Sequence, residues 1–100
     1  MSEIGFDPLL LLATLNRHGV RYVVIGGFAA TAHGSPLPTS DVDITAETSR
    51  ENLTRLSEAL NDLDARIRVD GIPEGVPFSH TAESLARASV LNLVTRYGEL

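Results

Sequence analysis

Residues 22–27 read Tyr-Val-Val-Ile-Gly-Gly and residues 41–45 read Asp-Val-Asp-Ile-Thr, and the architecture of the chain follows from these two stretches. The first is β-branched and aromatic, which predicts a buried strand over residues 20–25 that runs into a tight glycine turn. The second alternates acidic and apolar residues, which predicts a strand with its acids on one face. Between them, the alanine-rich residues 28–33 predict a short helix directly after the glycines.

Local signals place the other elements. Asp7 and Pro8 are a typical helix start and Gly19 is a typical stop, which predicts a helix over residues 8–18. A capping-box pattern from Thr48 to Glu51 precedes leucines at helical spacing. The further predictions are a helix over about 49–62, strands over 65–69 and 90–95, a long loop over 70–80, a short helix over 81–88 and a break at Gly98. The expected fold is α/β, with a small mixed β-sheet and helices on one side.

Composition limits the class of protein. One hundred residues, 43% of them apolar, suffice for a single domain over residues 1–100 but not for two. The chain has no cysteine, which excludes disulfides and thiol chemistry and favours a cytoplasmic location. All 8 basic residues are arginine, and 13 acids give a net charge of −5, so nonspecific nucleic-acid binding is not indicated. The apolar run over residues 9–13 is too short to cross a bilayer, so we expect no membrane association.

Asp41 and Asp43 are the first candidates for chemistry. Two residues apart on a strand, they point to the same face with Cα atoms about 7 Å apart. Val42 and Ile44 occupy the other face, so two anions crowd one surface unless cations or water screen them. A pair of Mg²⁺ ions about 3.5–4 Å apart is the usual solution in nucleotidyl transfer. The alternative is a pair of solvated acids at a strand end.

Gly26 and Gly27 end the apolar strand just before the predicted helix. Glycines at this place let backbone N–H groups approach a phosphate at a helix N-terminus, whereas the alternative is a plain tight turn. A dinucleotide-binding fingerprint would need glycine at Phe28 and Thr31, and a P-loop would need a lysine, which the chain lacks. Those two phosphate-binding motifs are therefore excluded.

The glycine turn and the acid pair together form a more specific pattern than either motif alone. An apolar strand ending in Gly26-Gly27, a short helix and then Asp41-Val42-Asp43-Ile44 resemble the signature of the nucleotidyltransferase superfamily related to DNA polymerase β. Within that superfamily, residues 25–30, 33–34 and 39–44 look most like the bacterial toxin-type branch, which includes the AbiEii and MenT toxins of toxin–antitoxin systems.

The resemblance implies an activity and a set of site residues. The activity is transfer of a nucleoside monophosphate from an NTP to an acceptor hydroxyl, with a tRNA 3′ end as the first acceptor and a protein hydroxyl as the second. The implied cofactor is Mg²⁺, as two ions, and a cognate antitoxin protein is an implied partner. The implied residues are Gly26, Gly27, Thr39 and Ser40 for nucleotide binding, and Asp41 and Asp43 for metal binding and catalysis. For Thr39, a turn-capping hydroxyl is the alternative role.

The sequence departs from the family pattern at several places. Leu37 stands where relatives often carry a basic residue. Residues 90–97 contain no acid, although the family supplies a third carboxylate from such a strand, which leaves Glu99 as the candidate. A downstream lysine and a helical C-terminal region are also missing. We therefore expect C-terminal elements to be lacking, either in a piece cut before the last ligand or in a minimal version.

The other polar candidates have simpler interpretations. Arg66 and Arg68 share a strand face and could meet a triphosphate or an RNA backbone, and a solvated face is the alternative. His18 and His33 lie at predicted helix ends, where capping and the helix dipole account for them. His80 has no partner at a metal-ligand spacing, and no nucleophile with its own base is evident.

The residues described above are compatible with three classes of function. The first is a catalytic nucleotidyltransferase. The second is a non-catalytic module of the same fold, such as an antitoxin component that acts by binding a partner. The third is a transferase that modifies an antibiotic-like small molecule, which competition between acceptors would distinguish from a tRNA-modifying enzyme.

Overall fold

A computed structural model describes residues 7–25, 42–88 and 90–100. Within these ranges the chain is α/β, as predicted, with three helices and six strands. The helices are α1 (Pro8–Arg17), α2 (Arg50–Asp62) and α3 (Ala82–Arg87), and the strands are β1 (Tyr22–Ile25), β2 (Asp43–Ala46), β3 (Arg66–Val69), β4 (Ile72–Val76), β5 (Leu93–Thr95) and β6 (Gly98–Glu99). The predicted helix over residues 28–33 lies outside the described residues.

The helix ends follow the local signals closely. The Asp7 carboxylate accepts a hydrogen bond from the Leu10 N–H at 3.2 Å, so it caps α1 as predicted. At the start of α2 the N-cap is Ser49, whose hydroxyl accepts from the Asn52 N–H at 3.2 Å. The N-cap is therefore one residue later than the expected Thr48, and the N3 side chain, Asn52, bonds to Arg21 and Glu47 instead of closing a capping box.

The described strands form two sheets instead of the single mixed sheet expected. Strand β1 pairs with β2, and a second sheet has the order β4-β3-β5-β6. Every described pair is antiparallel. Two-residue turns, Asp70-Gly71 and Arg96-Tyr97, join neighbouring strands of the second sheet, and links this short permit only antiparallel pairing. The Val42 N–H donates to the Glu99 carbonyl at 3.1 Å and so connects the start of β2 to β6.

Strand β4 occupies part of the region expected to be a loop over residues 70–80. Val69 pairs with Ile72 around Asp70-Gly71, and Gly71 has a φ of +85°. An Asp-Gly pair between two β-branched residues is a strong hairpin signal, and it outweighs the prolines here. Pro73 is compatible with β4 because this strand is at the edge of its sheet, where a missing N–H need not break a ladder bond.

One core joins all three helices and both sheets. Burial of each large aliphatic side chain in it contributes about 1.5–3 kcal/mol of transfer free energy. The buried leucines are Leu11 and Leu15 of α1, Leu53 and Leu60 of α2, Leu63 just after it, Leu85 of α3 and Leu93 of β5. Ile44 of β2 and Ile67 of β3 pack against this core from the two sheets. Among the described residues, no helix is long and apolar enough to span a membrane.

Candidate functional site

The two stretches that open the sequence analysis meet in one ladder. In the antiparallel pair of β1 and β2, Ile25 is the register partner of Asp43 and Val24 is the partner of Ile44. Ile25 is the residue before Gly26, so the chain enters the predicted glycine turn directly beside the second acid of the Asp-Val-Asp segment. The ladder thereby places the residue before Gly26 opposite Asp43.

The Asp43 side chain lies on the outer face of this two-stranded sheet. Along β2 the exposed positions are Asp43 and Thr45, while Ile44 is half-buried and packs on the core. Val42, just before the strand, is completely buried. This alternation confirms the predicted separation of acidic and apolar faces for the described residues.

Five of the predicted site residues lie outside the described part of the chain. They are Gly26, Gly27, Thr39, Ser40 and Asp41. The predicted nucleotide-binding role of the glycines and hydroxyls, and the first acid of the metal pair, therefore stay predictions. Asp43 is the predicted site residue whose environment is described.

Glu99, the candidate third carboxylate, lies on the strand next to Val42. Leu93 and Leu100 exchange two backbone hydrogen bonds, of 3.1 and 3.0 Å, across β5 and β6. Because hydrogen-bonded and non-hydrogen-bonded pairs alternate in an antiparallel ladder, the backbone groups of Glu99 point away from β5. The Glu99 carbonyl accordingly accepts from the Val42 N–H at 3.1 Å. This bond brings the backbone of Glu99 to within one residue of Asp43.

The two strand arginines that the sequence analysis singled out are engaged in ion pairs. Arg68 Nη1 donates to Glu99 Oε1 at 2.6 Å, and Arg66 Nη2 lies 3.5 Å from Asp64 Oδ2. Arg66 is opposite Val94, which is in turn opposite Glu99, so these side chains share one face of the second sheet. The arginines therefore neutralise nearby acids and do not form an unpaired basic surface.

The chemistry of the described donors suits a hard divalent cation. Asp43 and Glu99 offer carboxylate oxygens, which are the ligands that Mg²⁺ takes from proteins. Within residues 7–25, 42–88 and 90–100, no group of three His, Asp or Glu side chains is close enough together to hold a metal ion. Asp41, which the sequence analysis predicts as a ligand together with Asp43, lies outside these ranges.

A cavity of about 500 Å³ lies beside Asp43. Its volume is within the range of small-molecule sites, about 300–1,000 Å³. The described lining is mainly apolar and includes Ile25 and Asp43 from the β1–β2 ladder, Leu53 of α2, Leu85 of α3, and Leu93 and Leu100 of the second sheet. The cavity is therefore large enough for a nucleotide base or for an apolar acceptor group next to a carboxylate.

His18 has the capping role that the sequence predicted. It is the C-cap of α1, and its backbone N–H donates to the Thr14 carbonyl at 3.2 Å. Its Nε2 also lies 3.1 Å from Asp62 Oδ2 on α2, and Arg17 contacts the same carboxylate. Hydrogen bonds from His18 and Arg17 hold the pKa of Asp62 below its usual value. His33 lies outside the described residues.

His80 has a partner that sequence reasoning missed. Ser57 Oγ of α2 lies 2.7 Å from His80 Nδ1, and burial lowers the pKa of the imidazole. A hydroxyl beside an imidazole resembles a nucleophile and its base, but Ser57 is only 9% exposed and also contacts the His80 carbonyl at 3.3 Å. This burial keeps substrates from the hydroxyl, so we assign the pair a packing role. Ser57 and His80 are 23 positions apart, and no sequence pattern predicts a contact between them.

Searches of protein-family models, of curated proteins and of solved structures found no match for this chain. The resemblance to nucleotidyltransferases therefore depends on the residues quoted above.

Proposed function

We propose that the chain is an Mg²⁺-dependent nucleotidyltransferase domain that moves a nucleoside monophosphate from an NTP to an acceptor hydroxyl. The proposed acceptor is a tRNA 3′ end, and the proposed biological role is that of a toxin with a cognate antitoxin, both of which follow from the resemblance of residues 25–44 to the toxin-type branch.

The register pair Ile25–Asp43 carries this proposal. Because β1 and β2 pair antiparallel, the end of β1, which precedes Gly26, lies beside the start of β2, which carries Asp43. Phosphate binding and metal binding would need this proximity, because a divalent cation held by the carboxylates would supply positive charge to the phosphate. The cavity of about 500 Å³ beside Asp43 adds a place for a base or an acceptor end.

The proposed reaction is a substitution at the α-phosphorus. The acceptor oxygen forms a bond to that phosphorus, the bond to the β-phosphate oxygen breaks, pyrophosphate leaves and the hydroxyl proton passes to solvent. In this proposal Asp41, Asp43 and Glu99 hold Mg²⁺, which when bound neutralises the triphosphate and activates the acceptor oxygen. Backbone N–H groups at Gly26 and Gly27 bind phosphate oxygens.

Incubation of the full chain with Mg²⁺, total tRNA and each NTP labelled at its α-phosphate tests the proposal. We expect label at tRNA 3′ ends, lost in Asp43→Asn and retained in the control Asp64→Asn. Asp64 is an exposed acid with a φ of +53°, a conformation that asparagine also adopts readily.

Two results contradict the proposal at different levels. Label on a protein or small-molecule hydroxyl instead of tRNA overturns the proposed acceptor. If folded protein labels no acceptor with any NTP, the catalytic proposal is wrong and the non-catalytic binding module takes its place.

A further inference from the structure

Strand β1 lies at an edge of the described strands, and its outer face is apolar. It pairs with β2 alone among them, and Tyr22 packs its ring against the core. On the opposite face, Val23 and Ile25 are 63% and 46% exposed. Exposed β-branched side chains along a strand edge favour pairing with a strand of another chain. We infer that this edge pairs with the same edge of a second copy of the chain, in an antiparallel two-fold dimer.

The opposite edge of the described strands, β4, is protected against such pairing, whereas β1 is not. Strand β4 contains Pro73 and Glu74, and Gly75 has a φ of +77°. Its pairing with β3 also shifts register between Ile67 and Val69. A proline, a charge and an irregular ladder each hinder an edge strand from pairing with another chain. Strand β1 is Tyr-Val-Val-Ile and contains no proline, glycine or charge, so it is the edge suited to accept a strand.

The hydrogen bonds at the start of β1 define which backbone groups face outward. The Arg21 carbonyl accepts from the Glu47 N–H at 3.1 Å, so the backbone of Arg21 faces β2. Because hydrogen-bonded and non-hydrogen-bonded positions alternate in an antiparallel ladder, the N–H and C=O groups of Tyr22 and Val24 point away from β2. The edge therefore offers two donors and two acceptors to another strand.

One register pairs all of these groups within β1 itself. With Val23 on the two-fold axis, Tyr22 of each copy lies opposite Val24 of the other, and each such pair exchanges two hydrogen bonds. An axis at Tyr22 would pair Val24 with Val20, whose N–H already donates to the Leu15 carbonyl at 3.1 Å. An axis at Val24 would pair Tyr22 with a residue beyond the end of the strand. The axis at Val23 is therefore the register that we propose.

The outer face is complementary in charge in this register. Arg21 of one copy lies opposite Ile25 of the other, and Asp43 is the β2 partner of that Ile25 on the same exposed face. The backbones of Arg21 and this Asp43 are two strand spacings apart, about 10 Å. The arginine stem can cover the exposed Ile25 side chain while its guanidinium extends toward Asp43 of the other copy. Arg21 is 63% exposed and only 3.4 Å from Glu47, so it lies between one acid of each copy.

A single introduced thiol reports the axis directly, because the chain has no cysteine. In Val23→Cys the two Cα atoms would lie about 4.5 Å apart, at the short end of the disulfide range. Thr45→Cys is the matched control, since Thr45 is opposite Val23 and exposed on the same face. Its two copies would be three strand spacings apart, about 14 Å, which is too far for a disulfide. We expect mild oxidation of the full chain to cross-link Val23→Cys about tenfold faster or more.

Sedimentation equilibrium measures the association without a cross-link. An interface built on four residues from each copy is smaller than a standard one of about 1,200–2,000 Å², so we expect a weak dimer that depends on concentration. EDTA in every sample keeps divalent cations away from Asp43. Val23→Lys places two like charges across the axis and should weaken the dimer about tenfold or more, whereas Thr45→Lys should not.

A charge exchange tests the register. Arg21→Glu and Asp43→Arg should each weaken self-association, because each variant brings like charges together at both ends of the paired strands. An equimolar mixture of the two variants should dimerise again, because each then offers the opposite charge to the other. This recovery is specific to an interface that brings position 21 of one copy beside position 43 of the other.

Three results overturn the inference. If the parent chain stays monomeric at every concentration and both cysteine variants cross-link equally slowly, the edge does not bind a second copy and is left for a strand of a different protein. A dimer that persists in Val23→Lys uses another surface. A mixture of Arg21→Glu and Asp43→Arg that stays monomeric rules out the proposed register.

The inference is independent of the proposed function. The cross-linking and sedimentation experiments use neither Mg²⁺ nor NTP, so their outcome does not depend on whether the chain labels tRNA. Val23→Cys is a small change at an exposed position, so the cysteine pair still decides the question if Val23→Lys does not fold.

Discussion

The Asn52 side chain bonds to both backbone groups of Arg21. Its Oδ1 accepts from the Arg21 N–H at 2.7 Å, and its Nδ2 donates to the Arg21 carbonyl at 2.9 Å and to the Glu47 carbonyl at 2.8 Å. Arg21 immediately precedes β1 and Glu47 immediately follows β2. Asn52 is thus a buried clamp between α2 and the end of the ladder opposite to the Ile25–Asp43 pair.

Replacement of this clamp should lower the stability of the whole ladder. Asn52→Ala removes three hydrogen bonds and leaves one N–H and two carbonyls without these partners, so we expect a loss of about 2–4 kcal/mol in the free energy of unfolding. Asn61→Ala is the control, since Asn61 is an exposed asparagine on the same helix. Urea denaturation measures both variants, and equal stabilities would show that the clamp contributes nothing.

Two glycines of the β3–β4 hairpin allow backbone strain to be separated from steric contact. Gly71 has a φ of +85° and open space around it, whereas Gly75 has a φ of +77° and an added Cβ would lie 2.8 Å from Arg66 Cβ and 2.9 Å from the Ile67 carbonyl. We expect Gly71→Ala to cost about 1 kcal/mol from strain alone, and Gly75→Ala at least about 2 kcal/mol. Thermal unfolding of both variants measures which of the two stability losses is larger. A smaller loss for Gly75→Ala would mean that Arg66 and Ile67 move aside freely.

The burial of His80 predicts how stability depends on pH. Burial lowers the pKa of His80 below its ordinary value of 6.5, so the folded chain takes up this proton less readily than the unfolded chain. The stabilising contribution is therefore fully present above about pH 6.5 and is lost as the pH falls through the lower folded-state pKa. Protonation also removes the acceptor at Nδ1 that Ser57 can use.

Unfolding free energies between about pH 5 and pH 8 measure this dependence. We expect a shallower slope below about pH 6.5 in His80→Gln than in the parent chain. Identical slopes in the two proteins would assign the pH dependence to other groups.

Divalent-cation binding at Asp43 should stabilise the folded chain. A ligand at about 100 times its dissociation constant adds about 2.7 kcal/mol to the free energy of unfolding. We expect Mg²⁺ to raise the melting temperature of the parent chain and of Asp64→Asn, and EDTA to reverse the shift. Asp43→Asn should not respond, and without metal it should be equally stable or slightly more stable because repulsion from Asp41 is relieved. A normal Mg²⁺ response in Asp43→Asn would refute the metal assignment.

Local sequence patterns were sufficient to predict where helices end and which face of a strand a side chain occupies. The Asp7 cap, the leucine face of α2 and the outward direction of Asp43 each depend on residues within about one or two turns of chain, and the structure bears them out. The N-cap at Ser49 and the Asp70-Gly71 hairpin also depend on local signals, but Thr48 and Pro73 are competing local signals that favour a different cap and a loop.

The contacts around the candidate site join distant parts of the sequence, and only the folded chain shows them. Register between β1 and β2 places Ile25 opposite Asp43, although 18 positions separate them in the printed numbering. The Arg68–Glu99 contact spans 31 positions and selects Arg68 over Arg66. The amino-acid pattern defines which residues have the right chemistry, because side-chain type and backbone preference are properties of each short segment. Packing of the shared leucine core decides which of those residues meet, because only burial of that core holds distant strands in one register.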